Sequence, residues 1–561
     1  MTGRKNNDPG MTIFLEGFTP YKKEDAEKYN KFRWWPGIPS GDILDKAADI
    51  YPDKEAFVDR KSRLTYSQAR DKVNRLALSL MEVGIKPQDR VLVQLPNWNE
   101  FISAYFALQK IGAITVLLID RYREYEINHL FQLTGATSWF ISYKYKNIDY
   151  LPIITTVLKD NPQVEHVILV RGTDHEAFLN MEKLIEDAEL TEDNLHKLAD
   201  RRPDPMQVAH MGPTGGTTGL PKVAPRTHND LLCNVEYAAR AWELTNDDIC
   251  LIAGPVGHDL TFTKGVCASI FTFGKIVFLD STDPEIICQA IEREKVTAVV
   301  WVPALALRLI NFDGLRDYDL SSLKKMHCGG GKSLPDLIKA VNEKIGCTYF
   351  NAYGGTEGMS TMTRSNYDPE KTYYTIGKPT CPYDIYKIVD QNRKQLPPDT
   401  AGELVVKGPG IFTGYYKAPE ENEKVFDQDG FFKTGDMAKI DESGNITLTG
   451  RIKEMINRGG ESISAVEIEH LIITHSDVAA VAVIGMPDKA LGERVCAYIQ
   501  PKEGSKITFE EIISFLKSKG ASVLQLPERI EFIDSLPLTK AKNLVDKGAL
   551  LEDIKKKIDS A

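Results

Sequence analysis

Cysteine is scarce and scattered: eight residues in 561, with no CxxC pair and no ladder with histidine. That spacing excludes a structural zinc module and argues against a disulfide framework, so a reducing compartment, the cytoplasm, is expected. No apolar run approaches the roughly 18 residues that span a bilayer. The opening stretch MTGRKNNDPG has none of the apolar core of a secretory leader, so neither a membrane span nor a signal is expected. Excess positive charge is missing as well. Lys and Arg number 69 against 79 Asp and Glu, a net charge of −10, which disfavours a nucleic-acid surface. What remains is an ordinary globular composition, 42% hydrophobic and 26% charged, in a chain too long for one core.

Short apolar runs alternate with amphipathic segments. RVLVQLP (90–96), AITVLLI (113–119) and TSWFIS (137–142) form one series; ICLIAGP (249–255), KIVFLD (275–280), AVVWVP (298–303), KKMHCGG (324–330) and TYFNAYG (348–354) form another. Strands separated by helices imply an α/β fold whose mostly parallel sheets are covered on both faces, here as two subdomains. After about residue 380 the rhythm changes. GELVVKGPGIFTGYYK and GNITLTGRIKEMI read as β hairpins, a β-rich subdomain completing the large N-terminal body. From 452 a smaller α+β unit is expected. Ser464-x-x-Glu467 and Thr508-x-x-Glu511 are capping boxes, and AAVAVIGM and RVCAYIQ are strands. The predicted domains are 1–451 and a mobile 452–561.

The stretch PTGGTTGLPK, Pro213 to Lys222, holds three glycines, three threonines and a lysine, and reads as neither helix nor regular strand. Glycines let backbone N–H groups turn inward, hydroxyls add donors and the lysine adds positive charge, a composition suited to polyphosphate. No GK[ST] opens a helix here, so it is not a Walker loop.

TGGTTGLPK closely resembles the phosphate loop of the adenylate-forming superfamily: acyl-CoA synthetases, adenylation domains and beetle luciferases. NAYGGTEG (351–358), TGD (434–436) and GRIKEMINRGGESISAVEIE (450–469) resemble further motifs of that superfamily, in the family's order. FRWWPGIPSGDIL and NRGGESISAVEIE lean towards the branch that contains 2,3-dihydroxybenzoate–AMP ligases. The resemblance covers nearly the whole chain and implies ATP, Mg²⁺ and coenzyme A as cofactors and a small carboxylic acid as substrate.

Residue by residue, the resemblance places Thr214, Gly215, Gly216, Thr217, Thr218 and Lys222 on the β- and γ-phosphates. Gly329, Gly330, Gly331 and Lys332 form the adenine-side loop, and Tyr353 stacks on adenine beside Gly354. Thr356 contacts a phosphate oxygen, and Glu357, with Thr218, holds Mg²⁺. Asp436 accepts from the ribose hydroxyls, joined by Arg451. His258 stands near the acid's carboxylate, with Asp259, Val302 and Pro303 in the pocket wall. Where dihydroxybenzoate activators carry Asn after this histidine, the chain has Asp259, which speaks against dihydroxybenzoate itself. Asp259 is expected either to face the substrate or to pair with Lys264, and Trp301 to lie near the pocket. Lys453 occupies the hinge position, with Gly459 and Gly460 beside the pantetheine path.

The implied reaction is adenylation of a compact cyclic or aromatic acid followed by transfer to coenzyme A. Two readings stand beside it: an adenylating enzyme that loads a carrier protein, and a non-catalytic nucleotide-binding relative. The family's C-terminal catalytic lysine is displaced here. In LTKAKNLVDK (538–547) its place falls on Asn543 counting forward from Thr539 and on Leu544 counting back from VDK; a one-residue shift brings in Lys542, Lys540 is a second candidate, and Lys547 matches a later basic residue. Lys542 is the expected catalytic cation.

Overall fold

The valine- and isoleucine-rich runs form two helix-covered sheets. The computed structural model describes residues 12–214, 221–452, 455–458, 461–488, 491–519, 521, 523–539 and 545–559. By contact density it divides into one unit of Met1–Ile385 with Val406–Gly430 and a second of Tyr386–Val405 with Phe431–Ala561.

In the first unit, a seven-stranded sheet carries Arg90–Gln94, Ile114–Leu118, Ser138–Ser142 and His166–Val170 in parallel, with Val208–Thr214 beside Ile114–Leu118 and Lys222–Thr227 at the edge. A nine-stranded sheet holds Ile249–Ile252, Lys275–Phe278, Ala298–Trp301, Lys325–Cys328 and Thr348–Gly354, again parallel. The two-residue side-chain period decides what each strand covers. Cys250, Ile252, Ile276, Phe278, Ala298 and Val300 point into a core shared with the seven-stranded sheet. Leu251, Val277, Val299 and Trp301 point the other way, into a second core beneath Pro284–Glu294, Pro303–Ile310 and Pro335–Lys344.

A four-stranded sheet follows, built from Ile385–Val389, Gly402–Lys407, Phe432–Ile440 and Ile446–Arg451. GELVVKGPGIFTGYYK is not a hairpin. Its first part is the strand Gly402–Lys407, and 408–418 runs without strand. The reason is local: side chains take the carbonyls that a second strand would need. Trp35 Nε1 donates to Pro409 O at 2.8 Å, Asn234 Nδ2 to Gly410 O at 2.6 Å and Tyr21 Oη to Ile411 O at 2.5 Å. GNITLTGRIKEMI does not fold on itself either: Ile446–Arg451 pairs back with Phe432–Ile440, and Met455–Arg458 pairs forward with Glu461–Ser464.

In the second unit, Val478–Asp488 and Gly492–Pro501 form a long antiparallel pair, with Arg529–Phe532 parallel to the latter. Both faces are buried: Val495, Ala497 and Ile499 against Ala465–Ile473 and Phe509–Ser518, Cys496 and Tyr498 against Lys547–Asp559. The Thr508/Glu511 capping box is present in both directions. Ser464 Oγ donates to Thr449 O at 2.6 Å. No helix among the described residues is long and apolar enough to cross a membrane.

Candidate active site

Two hairpin ends, one from each large sheet, meet in the first unit. Val208–Thr214 and Lys222–Thr227 are antiparallel, with Thr214 opposite Lys222. The ends of PTGGTTGLPK are therefore strand after all, because Pro213 and Thr214 continue a ladder whose partner begins at Lys222. Gly215, Gly216, Thr217 and Thr218 lie outside the described residues. From the other sheet, Thr348–Gly354 turns into Ser360–Met362 with Gly354 opposite Ser360, and Thr356 and Glu357 occupy the turn. The approach is close: a Cβ on Gly212 would run into Thr356 Cγ2.

Glu357 is 7% exposed. Two hydroxyls converge on one of its oxygens: Thr214 Oγ1 donates to Oε1 at 3.0 Å and Tyr415 Oη at 2.8 Å. Among the described residues no hydrogen bond falls on Oε2. Phe412 N donates to Glu357 O at 2.9 Å, which ties the segment carrying Tyr415 to the turn. Burial, reinforced by the Glu357 carboxylate, raises the Tyr415 phenol well above its ordinary range, so it stays a donor. The Lys222 ammonium lies 4.9 Å from the centre of the Tyr415 ring and pairs with Glu421. Sequence motifs do not reveal Tyr415; nothing in TGYYK announces a partner 58 positions away.

The segments expected on the adenine and acid sides also converge. A Cβ on Gly330 would stand 3.5 Å from Leu260 Cδ2 and Val302 Cγ1, and one on Gly331 would stand 3.4 Å from Pro303 Cδ. Gly329, Gly330 and Gly331 thus lie beside Val302 and Pro303, and next to the segment that begins at His258. Tyr353 is half-buried and contacts Met359 Sδ through Oη at 3.6 Å. Lys332 and His258 are exposed. His258 O accepts from Phe262 N at 2.9 Å at the start of the π-helix Leu260–Cys267, a winding frequent at functional sites. Asn97 fixes the approach to it, donating to Gly254 O at 2.8 Å and Leu279 O at 2.9 Å and accepting from Val256 N at 2.8 Å.

Two expectations for this side fail. Trp301 is 1% exposed in the second core, on the opposite strand face from Val300, and does not line the pocket; Val302, one residue on, is 41% exposed. Asp259 does not pair with Lys264: it accepts from Thr263 Oγ1 at 2.8 Å, while Lys264 donates to Asn234 Oδ1 at 2.7 Å. Burial brings the Lys264 pKa down to about 8.

In the second unit, Asp436 lies within Phe432–Ile440 directly opposite Arg451, and Arg451 Nε meets Asp436 Oδ1 at 3.1 Å. Asp436 is thus a strand residue following Gly435, whose φ is +74°. Lys547 pairs with Glu469 at 2.8 Å. Lys453, Gly459, Gly460, Lys540 and Lys542 lie outside the described residues.

Among the described residues no three His, Cys, Asp or Glu side chains gather as a metal site. Mg²⁺ usually takes one or two carboxylates and completes its shell with water and phosphate oxygens. A single buried carboxylate with Oε2 left open fits that habit.

Comparison with known proteins gives the family. The family model "AMP-binding enzyme" matches residues 44–416 and "AMP-binding enzyme C-terminal domain" matches 467–543. The chain belongs to the AMP-binding enzymes and is an adenylating ligase of that class. It is 34% identical to the 2,3-dihydroxybenzoate-AMP ligase of Bacillus subtilis over 97% of this chain and 99% of the relative. It is 37% identical to triostin synthetase I of Streptomyces triostinicus over 96% and 98%. The apo structure of Mycobacterium smegmatis MbtA superimposes with a TM-score of 0.72 at 31% identity, covering 96% of this chain and 98% of that one. The anthranilate CoA ligase AuaEII in complex with anthranoyl-AMP shares the fold, with a TM-score of 0.83 at 21% identity over 93% and 98%.

Proposed function

We propose that the protein activates a compact aromatic acid as its acyl-adenylate and then passes the acyl group to the thiol of coenzyme A. The observation that carries the first step is the convergence of Thr214, Thr356 and Glu357 from two sheets, with Lys222 beside them. A carboxylate oxygen of the acid attacks the α-phosphorus of ATP; a P–O bond forms, the bond to pyrophosphate breaks, and pyrophosphate leaves with its charge met by hydroxyls and a cation. Thr214, Thr217, Thr218 and Lys222 are assigned to that charge, and Tyr353 and the Gly329–Lys332 loop to adenine. Bound Mg²⁺ would neutralise phosphate charge from Glu357, with Thr218 as a second ligand. The chain's own groups hold the carboxylate in place through Thr214 and Tyr415.

In the second step the thiol sulfur attacks the acyl carbon, the C–O bond to AMP breaks, and the thiol proton is released. Gly459 and Gly460 are assigned to the pantetheine path. Asp436, steadied by Arg451, is assigned to the ribose. A boundary at 451/452 with Lys453 as hinge is retained: Lys453→Pro fixes φ and should preserve acyl-adenylate formation while thioester formation falls. Carrier-protein loading is the second reading, supported by a relative named "Salicyl-AMP ligase / salicyl-S-ArCP synthetase" from Mycobacterium tuberculosis, 32% identical over 96% of this chain.

The test is pyrophosphate release from ATP with a panel of benzoate-like and fatty acids, with coenzyme A present and absent. Turnover that depends on an aromatic acid and coenzyme A is expected. A slow single burst that coenzyme A does not accelerate favours the carrier-protein reading. Preference for long-chain acids, or no release with any acid, overturns the proposal.

A further inference from the structure

Beneath Glu357 lies a guanidinium that the motifs do not mention. Arg226, near the end of Lys222–Thr227, is 1% exposed. A fork of five donors at that depth must be met by acceptors. Asp230 Oδ1 takes Nε at 2.5 Å. Asp230 is fixed in turn by the capping box that opens His228–Ala241, its Oδ2 accepting from Thr227 N at 2.8 Å and Thr227 Oγ1 at 2.5 Å. The helix start therefore aims the fork. Its outer nitrogens reach two other segments: Nη1 donates to Thr356 O at 3.1 Å and Nη2 to Gly410 O at 2.9 Å. Asn234 Nδ2 shares the Gly410 carbonyl, and Lys264 Nζ braces Asn234 Oδ1.

Both gripped carbonyls lead to Glu357. Thr356 precedes it in the chain, and two residues beyond Gly410 the Phe412 N–H donates to Glu357 O. Gly358 shows how closely the turn sits on the fork. Its φ is +99°, and a Cβ there would run into Gly410 O and stand 2.9 Å from Arg226 Nη2. Lysine offers a point charge and cannot address Asp230, Thr356 and Gly410 from one plane.

We infer that Arg226 is a positioning residue for the metal–nucleotide corner: through Thr356 O and Gly410 O it sets where the Glu357 carboxylate stands. This rests on the assignment of Glu357 proposed above. A guanidinium that merely stabilises the core would, when altered, lower the folded fraction and affect both substrates alike. A positioning guanidinium affects Mg·ATP and spares the acid.

The test compares Arg226→Lys, which keeps the charge and loses the fork, with the pair Arg226→Met and Asp230→Asn in one chain, which leaves no lone buried carboxylate. Calorimetric titration with Mg·ATP gives affinity without turnover, steady-state assays give the KM of each substrate, and thermal melts report the fold. The expected result is a cooperative melt, Mg·ATP binding weaker by roughly tenfold or more, and an acid KM within about twofold of the parent. Unchanged Mg·ATP affinity in folded Arg226→Lys, equal losses for both substrates, or failure of both variants to fold overturns the inference. A parent protein that binds no Mg·ATP overturns the functional reading and this inference with it; a parent that binds while Arg226→Lys binds equally well overturns this inference alone.

Discussion

Removing one oxygen atom probes the corner most directly. In Tyr415→Phe the ring keeps its packing on Phe412, with centroids 5.0 Å apart, and its place under Lys222, while the donor to Glu357 Oε1 is lost. The phenol is protonated throughout the working range because burial, and then Glu357, raise its pKa. The hydrogen bond is therefore present at every pH where the enzyme is assayed. A hydrogen bond onto a charged acceptor is worth about 1.5–3 kcal/mol. Thr214 Oγ1 still reaches the same oxygen at 3.0 Å, so the lower end applies. About 1.5 kcal/mol corresponds to roughly a tenfold loss of Mg·ATP affinity. Calorimetry with Mg·ATP, repeated at several Mg²⁺ concentrations, measures it, and the loss should shrink as Mg²⁺ rises. Affinity within about twofold of the parent at every Mg²⁺ concentration would refute the reasoning, because the carboxylate would then not depend on its hydroxyl donors.

Asp436→Ala should weaken ATP binding by roughly tenfold or more; unchanged ATP affinity in calorimetry speaks against the ribose assignment. Lys542→Ala should cut acyl-adenylate formation by orders of magnitude yet spare thioester formation from presynthesised acyl-adenylate. The same selective loss in Lys540→Ala alone moves the catalytic role to Lys540. Stability should fall with acid. His210, His228 and His327 are each lowered by burial from 6.5 to about 3, so the unfolded chain takes up protons that the fold refuses. Their contribution is complete above pH 6.5 and is lost as pH falls towards 3, by about 2 kcal/mol each at about pH 5. Asp384, raised by burial from 3.8 to about 7, opposes this by keeping a proton in the fold that the unfolded chain drops, and offsets part of the loss. A melting temperature that is flat from pH 7 to pH 5 contradicts the assignment.

The motifs that carry Thr214, Thr356, Glu357 and Asp436 were legible, because scarce residue types stand there at fixed spacing, and the structure brings Thr214, Thr356 and Glu357 together. The parallel sheets were legible too, from runs such as RVLVQLP and AVVWVP. The face on which Trp301 lies was not. Alternation is visible in AVVW, but both sheet faces are buried, so the sequence does not say which residue meets which core. Arg226 and Asn97 were invisible for a different reason. Their partners at Thr356, Gly410, Gly254 and Leu279 are main-chain carbonyls, which leave no trace in residue identity. The same carbonyl capture undid the hairpin expected over 402–417, where glycine and proline signal irregularity without saying which side chains claim it.

The corner also faces a problem that any such site must solve. A lysine assigned to phosphate and a carboxylate assigned to a metal, as proposed above, attract each other, and a direct pair would neutralise both. Among the described residues no ion pair joins Lys222 to Glu357. Tyr415 separates them, offering its ring face to Lys222 and its hydroxyl to Glu357. Lys222 rests instead on Glu421, with the two side chains 33% and 31% exposed. An ion pair so open to water is worth about 0–1 kcal/mol, little enough for a polyphosphate to displace. One phenol thus holds a cation and a carboxylate apart within the same few ångströms, and it does so with a group whose burial keeps it a neutral donor across the working pH range.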